Sequence, residues 1–235
     1  MDFGPVLAKL RGDAPYLERT LWNRFPVNLD NDGKPRGWRL GQLRDVAAAA
    51  TDIAVPSAVD AKTPYIGLEH MPRRSIALDS FGVAGDVSSH KSRFSKGDVL
   101  FGKLRPYFHK VGIAPLDGIC STDIIVMRPL KPHWRSYLAM CASSNELVAH
   151  ADGGSTGTKM PRTSWGEIAR FPVAVPDSIL AEDFECIVGP MIDTIVARVH
   201  ESWTLAVLRD ALLPKLLSGE LQLDKAEQFL EEAVT

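Results

Sequence analysis

Residues Gly97–Pro129, "GDVLFGKLRPYFHKVGIAPLDGICSTDIIVMRP", alternate between short apolar segments and turns. The apolar segments are about four to eight residues long and rich in β-branched or aromatic side chains, and Gly, Pro or Asp separates them, which is typical of β-strands joined by tight connections. Similar segments, "TPYIGLEH" and "RSIALDS", precede this stretch. We therefore predict a β-rich domain over residues 37–178, in which residues 133–151 form a helix and "EIARFPVAVP" forms the final strand.

After Asp177 the apolar residues recur at gaps of mostly three or four, which predicts one long amphipathic helix over residues 179–219. The stripe consists of Phe184, Val188, Met191, Ile195, Val199, Trp203, Ala206, Leu213 and Leu217. Pro190 predicts a kink or a late start of the helix, Pro214 a disturbed last turn, and Gly219 the end. The fold class is thus predicted as α+β, a β-rich domain followed by a long α-helix.

This helix would exceed about 45 Å in length at 1.5 Å per residue and would extend past a body of this size. Its apolar stripe then needs a partner. We expect a second copy of the chain, paired as an antiparallel coiled coil through Val188, Ile195, Val199 and Trp203. The alternative is a helix that lies flat on its own domain.

The two ends of the chain differ in composition from the domain between them. Residues 1–36 mix Gly, Pro, Asn and Asp with scattered apolar residues, and "NLDNDGKPRG" carries turn signals, so this segment is predicted as a linker. Residues 220–235 are predicted as a flexible acidic tail.

The charge of the chain is unevenly distributed, although the net charge of the 235 residues is only −2. Residues 180–235 hold 11 acidic and 4 basic residues, whereas residues 91–110 hold six Lys or Arg and one acid, Asp98. Such a local basic patch attracts a polyanion even when the total charge is negative.

No apolar run is long enough to span a membrane, and the three cysteines form no C-x-x-C pair. Both features favour a cytoplasmic protein without a structural zinc site.

Two loops carry the candidate binding residues. If Val99–Leu104 is a strand, Lys103 and Arg105 share one face and Pro106 ends the strand. Backbone amides, hydroxyls and cations commonly contact phosphates, and Arg and Lys also suit guanine edges. The predicted DNA contacts are Lys103, Arg105, Tyr107, His109, Lys110, Ser155, Thr156, Lys159 and Arg162. The alternatives are a solvated basic edge strand for the first loop and a mobile surface connection for the second.

The second loop, in "HADGGSTGTKMPRTSW", superficially resembles a phosphate loop. In a phosphate loop glycine precedes the lysine and Ser or Thr follows it. Here Thr158 precedes Lys159 and Met160 follows it. The sequence also lacks the metal-binding, methyltransferase and nuclease motifs that we would expect of an enzyme acting on DNA. We predict no catalytic residue, metal or cofactor in this chain; a nucleotide-hydrolysing enzyme that uses Gly153–Lys159 stays as an alternative.

Several segments, taken in order, resemble the specificity (S) subunits of type I restriction-modification systems. They are "PRGWRLGQLRDVA", "TPYIGLEHM", "GDVLFGKLRPYFHKVGIAPLDGICSTDIIVMRP", "GGSTGTKMPRTSWGEIARFPVAVP" and "LRDALLPKLLSGEL". The resemblance covers roughly residues 36–221. It identifies residues 37–178 as a target recognition domain and residues 179–219 as a conserved spacer helix.

The resemblance implies a DNA-reading subunit without catalysis of its own. Each recognition domain of this family reads one half of a split site, and two antiparallel helices separate the domains and dock the methyltransferase (M) subunits. The M subunits bind S-adenosylmethionine, and a restriction (R) subunit uses ATP and Mg²⁺. The expected partners are therefore double-stranded DNA, M subunits, an R subunit and a second copy of this chain, with no membrane.

The chain departs from the family pattern in having one recognition domain and one long helix where two of each are usual. "DFGPVLAKLRG" resembles the linker between two halves, so a natural half-subunit and the C-terminal part of a larger subunit are both open. The sequence is also compatible with a DNA specificity module of a different restriction or methylation system. A purely helical assembly protein is disfavoured by the basic β-rich domain.

Overall fold

The computed structural model describes residues 39–55, 58–157 and 160–219. The predicted linker over residues 1–36, the predicted tail over residues 220–235 and Lys159 lie outside these described residues.

Within the described ranges, short strands form two sheets and a separate strand pair. The strands are β1 Arg39–Gln42, β2 Ala47–Ala49, β3 Ile53–Ala54, β4 Pro64–Ile66, β5 Gly82–Val83, β6 Lys91–Phe94, β7 Val99–Gly102, β8 Val111–Ile113, β9 Gly118–Cys120, β10 Ile124–Pro129 and β11 Pro172–Val175. One sheet has the order β2-β10-β7-β8 and is antiparallel, and the other has the order β3-β6-β9-β4-β5. In the second sheet β4 and β9 run parallel. Strand β1 pairs with β11, which ties the start of the domain to its end.

Strand β7 is the central element of the body because all four of its residues are buried. It lies between β10 and β8, and its side chains alternate between two cores. Val99 and Phe101 pack into the core shared with the helices, whereas Leu100 packs with residues of the other sheet, such as Ile66. The alternative of a solvated basic edge strand is thus wrong: β7 is an interior strand and ends at Gly102, before Lys103.

In the described residues four α-helices follow or interrupt the strands. They are α1 Arg135–Ala142, α2 Asn145–Gly153, α3 Trp165–Ala169 and α4 Ser178–Leu217. The single helix predicted over residues 133–151 is in fact two helices. The Ser144 hydroxyl accepts a hydrogen bond from the backbone N–H of Leu147 (3.1 Å) and so caps the start of α2.

Helix α4 has 40 residues, which corresponds to a length of about 60 Å. Its start is capped by Asp177, whose carboxylate accepts a hydrogen bond from the backbone N–H of Leu180 (2.8 Å). The predicted late start at Pro190 is therefore wrong, and the helix continues through both Pro190 and Pro214. The prediction of a β-rich domain followed by one long helix is confirmed. Among the described residues no helix is both long and apolar enough to cross a membrane.

The first part of α4 is fastened to its own domain by charged groups. Arg135 binds Glu185 (Nε–Oε1 2.8 Å) and Asp193 (Nη1–Oδ1 2.7 Å). The other oxygen of Glu185 accepts a hydrogen bond from the backbone N–H of Ser136 (2.8 Å). The hydrogen bond from Arg135 holds the pKa of Asp193 below its usual value.

Further along α4, polar groups of the helix bind backbone carbonyls of the domain. The Nε2 of His200 lies 2.9 Å from the carbonyl oxygen of Pro115, and the indole N–H of Trp203 donates to the carbonyl of Asp79 (2.6 Å). The rings of Trp203 and Phe81 meet edge to face, with their centroids 5.0 Å apart.

These contacts show that the helix lies on its own domain from Ser178 to about Trp203. Val188 and Val199, which the sequence assigns to a partner, are only 5% and 6% exposed because the chain's own residues cover them. As they are placed here, neither side chain can also contact a second copy. The helix beyond Trp203 has exposed apolar side chains, including Leu205 and Leu217.

We predict that Glu185→Ala lowers the free energy of unfolding by about 1.5–3 kcal/mol, because the Arg135 guanidinium and the Ser136 N–H both lose a charged acceptor. Urea unfolding measures the loss. The matched control is Glu182→Ala, one turn earlier, whose carboxylate is 64% exposed and 3.7 Å from His133; its effect should stay within about 0.5 kcal/mol. Equal losses of unfolding free energy in the two variants would contradict the role of Glu185 in fastening α4 to the domain.

Candidate nucleic-acid interface

The two predicted loops are joined by backbone pairing. The N–H of Arg105 donates to the carbonyl of Pro161 (2.8 Å), and the N–H of Thr163 donates to the carbonyl of Lys103 (3.0 Å). Leu104 and Arg162 form the antiparallel bridge between these two bonds. The sequence places Lys103 and Arg162 far apart, and the fold brings their segments side by side.

A tight turn over Pro106–Phe108 follows Arg105 and projects an aromatic pair. Tyr107 is 49% exposed, and its ring meets that of Phe108 edge to face with the centroids 4.8 Å apart. The Arg105 guanidinium carbon lies 5.9 Å from the centroid of the Phe108 ring.

Two arginines that the sequence analysis missed approach the same turn from the segment after Met71. The guanidinium carbon of Arg73 lies 4.0 Å from the centroid of the Phe108 ring. The backbone N–H of Arg74 donates to the carbonyl of His109 (2.9 Å), and its guanidinium donates to the side-chain oxygen of Asn145 (3.2 Å). Only the adjacent basic pair in "MPRRS" signals these residues, since nothing local in the sequence connects them to Phe108.

We define the basic surface as the six cations grouped around Phe108 and the paired segments. They are Arg73, Arg74, Lys103, Arg105, Lys110 and Arg162. In the described part of the chain the ammonium group of Lys103 makes no hydrogen bond or ion pair, whereas Arg162 binds Asp123 through both carboxylate oxygens (3.1 and 3.4 Å). The cations of this surface therefore differ in how strongly their own neighbours hold them.

Backbone strain is concentrated at this surface. Over the described residues three non-glycine residues have positive φ: Arg74 (56°), Arg105 (51°) and His109 (54°). The left-handed conformation costs an L-residue roughly 1–2 kcal/mol, and such strain clusters at functional sites. Glycine or asparagine would occupy these positions with less strain, so we take Arg74 and Arg105 as candidate functional residues.

His109 and Lys110 are less available than the sequence suggests. His109 is 4% exposed, and its Nε2 lies 2.8 Å from the carbonyl oxygen of Ser143. The ammonium group of Lys110 donates to the carbonyl of Leu68. Burial lowers the pKa of Lys110, and the positive charge of Arg73 lowers it further. A buried imidazole cannot reach a duplex, so we leave His109 out of the proposed contacts and assign it to holding the turn.

The glycine-rich loop begins where α2 ends and does not have the order of a phosphate loop. In a phosphate loop a strand leads into the loop and a helix follows it. Here a helix comes first, and Thr156 then pairs with Arg162 through two backbone hydrogen bonds of 3.0 Å. Thr156 is exposed and Ser155 half-buried. The geometry of the described residues 153–157 and 160–162 thus gives no support to a nucleotide site in this loop.

Groups that could bind a metal or act as a thiolate nucleophile are not assembled in residues 39–55, 58–157 and 160–219. Within those ranges no cluster of three or more His, Cys, Asp or Glu could hold a metal ion. Burial raises the pKa of both Cys120 and Cys141 to about 12, so these thiols stay protonated at neutral pH. Cys186 is exposed and unpaired with another described cysteine.

Comparison with curated proteins gives two type I restriction specificity subunits. The chain is 21% identical to the Type I restriction enzyme MjaIX specificity subunit of Methanocaldococcus jannaschii over 200 residues, which are 81% of this chain and 46% of that protein. It is 28% identical to the Type I restriction enzyme EcoDI specificity subunit of Escherichia coli over 142 residues, which are 57% of this chain and 31% of that protein. The chain spans less than half the length of these curated relatives.

Two solved structures share the fold. The crystal structure of the HsdS subunit from Thermoanaerobacter tengcongensis superposes with a TM-score of 0.54 and 21% identity, covering 76% of this chain and 47% of that one. A chain from a structural study of complex assembly and conformational transition in the type I restriction-modification system superposes with a TM-score of 0.53 and 22% identity, covering 78% and 49%. No family model matches the chain.

The resemblance inferred from ordered sequence segments is confirmed by both kinds of comparison, and so is the α+β class of the fold. In sequence and in fold, this chain is similar to the specificity subunits of type I restriction-modification systems, over about half the length of one such subunit.

Proposed function

We propose that this chain is a sequence-specific DNA-recognition subunit of a type I restriction-modification complex. Residues 39–177 form the recognition domain, which reads one half of a bipartite site. The single observation that carries the proposal is the basic surface, where arginines are held in strained conformations around an exposed aromatic turn. The names of the curated relatives support the same conclusion.

The proposed subunit does no chemistry and acts through its partners. M subunits, which would supply S-adenosylmethionine and the methyl transfer, dock on it, and an R subunit uses ATP and Mg²⁺ to cut. The assembly works in the cytoplasm, where the DNA is.

Lys103 is the best candidate for a phosphate contact. Its ammonium group has no partner among the described residues, and it leaves the body where an interior strand ends. A flexible cation suits a phosphate because the contact needs charge more than a fixed geometry. We assign Ser155, Thr156 and Arg162 to the same side of the interface, with Lys110 contributing charge at its edge, and we keep Lys159 as a proposed contact on its sequence alone.

We predict that Lys103→Gln weakens binding to all duplex sequences alike and lowers the slope of log affinity against log salt by about 1. Titration of the full chain with labelled duplexes at several salt concentrations measures both quantities. The matched control is Lys62→Gln, an exposed lysine in the connection between β3 and β4. An unchanged slope for Lys103→Gln would remove Lys103 from the interface.

The strained arginines give a second test of the interface. Asparagine accepts the left-handed conformation better than arginine does. We therefore predict that Arg74→Asn and Arg105→Asn each leave the free energy of unfolding the same within about 0.5 kcal/mol, or raise it, while weakening DNA binding. Thermal unfolding and DNA titration of the same preparations check the two effects. If the variants lose stability and their loss of DNA binding follows only from unfolding, the two arginines have a structural role only.

Self-association, which we propose as the second property of the subunit, uses a part of α4 different from the one the sequence suggested. Leu205, Leu208, Leu212 and Leu216 recur at gaps of three and four and form a second apolar stripe. At 3.6 residues per turn, Leu212 lies about 140° around the helix axis from Val199, which faces the domain. This distal stripe is therefore turned away from the described domain that Val199 contacts; Leu205 is exposed, and Leu208, Leu212 and Leu216 are half-buried.

A second copy of the chain fits the distal stripe. An antiparallel pair has two-fold symmetry, so each copy offers the same surface and the assembly closes at two. Burial of leucine side chains contributes about 1.5–3 kcal/mol each, which is sufficient to drive pairing. The two recognition domains would then lie at opposite ends of the helix pair and read two inverted copies of one half-site.

We predict that the wild-type chain is a dimer at micromolar concentration and that Leu205→Gln combined with Leu212→Gln makes it a folded monomer. Sedimentation equilibrium gives the mass, and circular dichroism reports the fold. Val207→Gln is the matched control, because Val207 is 69% exposed but lies off the stripe. A wild-type monomer that recognises an asymmetric site would refute the pairing.

A further inference from the structure

The guanidinium groups of the described arginines differ in what they bind. Most bind a carboxylate, as those of Arg128, Arg135 and Arg162 do, and those of Arg44 and Arg74 donate to side-chain amide oxygens. Within residues 39–55, 58–157 and 160–219, the guanidinium groups of Arg73, Arg93 and Arg105 donate no hydrogen bond to another described residue. Two of these three, Arg73 and Arg105, stand against the ring of Phe108.

An aromatic ring holds a guanidinium differently from a carboxylate. A carboxylate accepts hydrogen bonds from the N–H edge of the planar guanidinium group and leaves few donors for a ligand. An aromatic ring contacts the planar face of the group, or lies near it, without using the N–H donors. Arg73 is thus held in place, with its guanidinium carbon 4.0 Å from the ring centroid, while its donors stay available. Arg105 is fixed at its backbone by positive φ and by the hydrogen bond to Pro161.

Fixed arginines with free donors suit base edges better than phosphates. Phosphate contact tolerates a mobile cation, but reading of a base requires a donor pair at a defined position. In the major groove the bidentate match for arginine is guanine, through the O6 and N7 acceptors. Arg162 is less suited to this role because Asp123 already accepts from its guanidinium.

We propose that Arg73 and Arg105, positioned by Phe108, each read a guanine in the major groove of the half-site. This inference rests on the proposed function and names the bases that it would select. The two guanidinium carbons lie 4.0 and 5.9 Å from one ring centroid, so they are no more than about 10 Å apart. At about 3.4 Å per base pair, the two guanines, on either strand, lie no more than about three base-pair steps apart.

Selection from a pool of duplexes with a randomised central segment tests the proposal. The full chain is used at low salt, and the bound duplexes are sequenced. The expected site contains two guanines at the stated spacing. A selected half-site without guanine would overturn the inference and leave DNA recognition standing, whereas a chain that retains no duplex would overturn the proposed function itself.

Substitution of each arginine by lysine separates base reading from charge, because lysine keeps the positive charge and lacks the planar fork. Arg73→Lys and Arg105→Lys should each reduce the preference for one guanine by about 5- to 150-fold. The affinity for duplexes that lack that guanine should stay near the wild-type value. Arg93→Lys, on β6 in the other sheet, is the matched control and should select the wild-type site. Wild-type selection by both Arg73→Lys and Arg105→Lys would overturn the assignment.

Chemical modification of the selected duplex tests the same contact from the DNA side. Replacement of the guanine by 7-deazaguanine removes the N7 acceptor in the major groove and keeps base pairing, so binding should weaken. Replacement by inosine removes the amino group in the minor groove and should change the affinity little. The reverse pattern would show that the guanine is read from the minor groove and would overturn the proposal.

Discussion

Complete burial of β7 is the constraint on which the rest of the domain depends. A strand with cores on both faces must have neighbours on both edges, and β10 and β8 supply them while its alternating side chains join the two cores. Two of the next three residues, Lys103 and Arg105, are charged, which disfavours a continuation of the strand into the interior. The chain therefore leaves the sheet at Lys103, pairs with Pro161–Thr163 and turns over Pro106–Phe108. The basic surface lies where it does because the hydrophobic strand ends there.

The strands and the long helix were predictable because their signals are local. Alternation and turn residues mark the region around Val99, and gaps of three and four mark the helix after Asp177. Partner choice was not predictable from the same signals. Periodicity identifies an apolar face of a helix but not what covers it. In the structure Val188 and Val199 contact their own domain. The stripe through Leu212 is recognised only once the face that contacts the domain is known.

Part of the candidate site was predictable for the same reason. Lys103 and Arg105 belong to a visibly basic stretch, and the fold brings them beside Arg162. Arg73 was missed because its contact with Phe108 joins segments that are distant in the sequence. His109 was predicted as a DNA contact because a polar side chain is usually exposed. In the structure its backbone is left-handed and its side chain is buried against Ser143. Composition reveals which side chains are candidates for binding DNA, and the backbone decides which of them are exposed.

Arg135 and Trp203 attach α4 to the same domain that carries the basic surface. In a helix each added residue advances the chain by 1.5 Å and rotates it by about 100°. An insertion of one residue beyond Trp203 would therefore turn a partner bound at the distal stripe to another side of the domain. Insertions of seven residues, close to two full turns, would keep the rotational setting and only lengthen the spacer. In such an assembly, changes in spacer length that preserve function come in steps of whole pairs of helical turns.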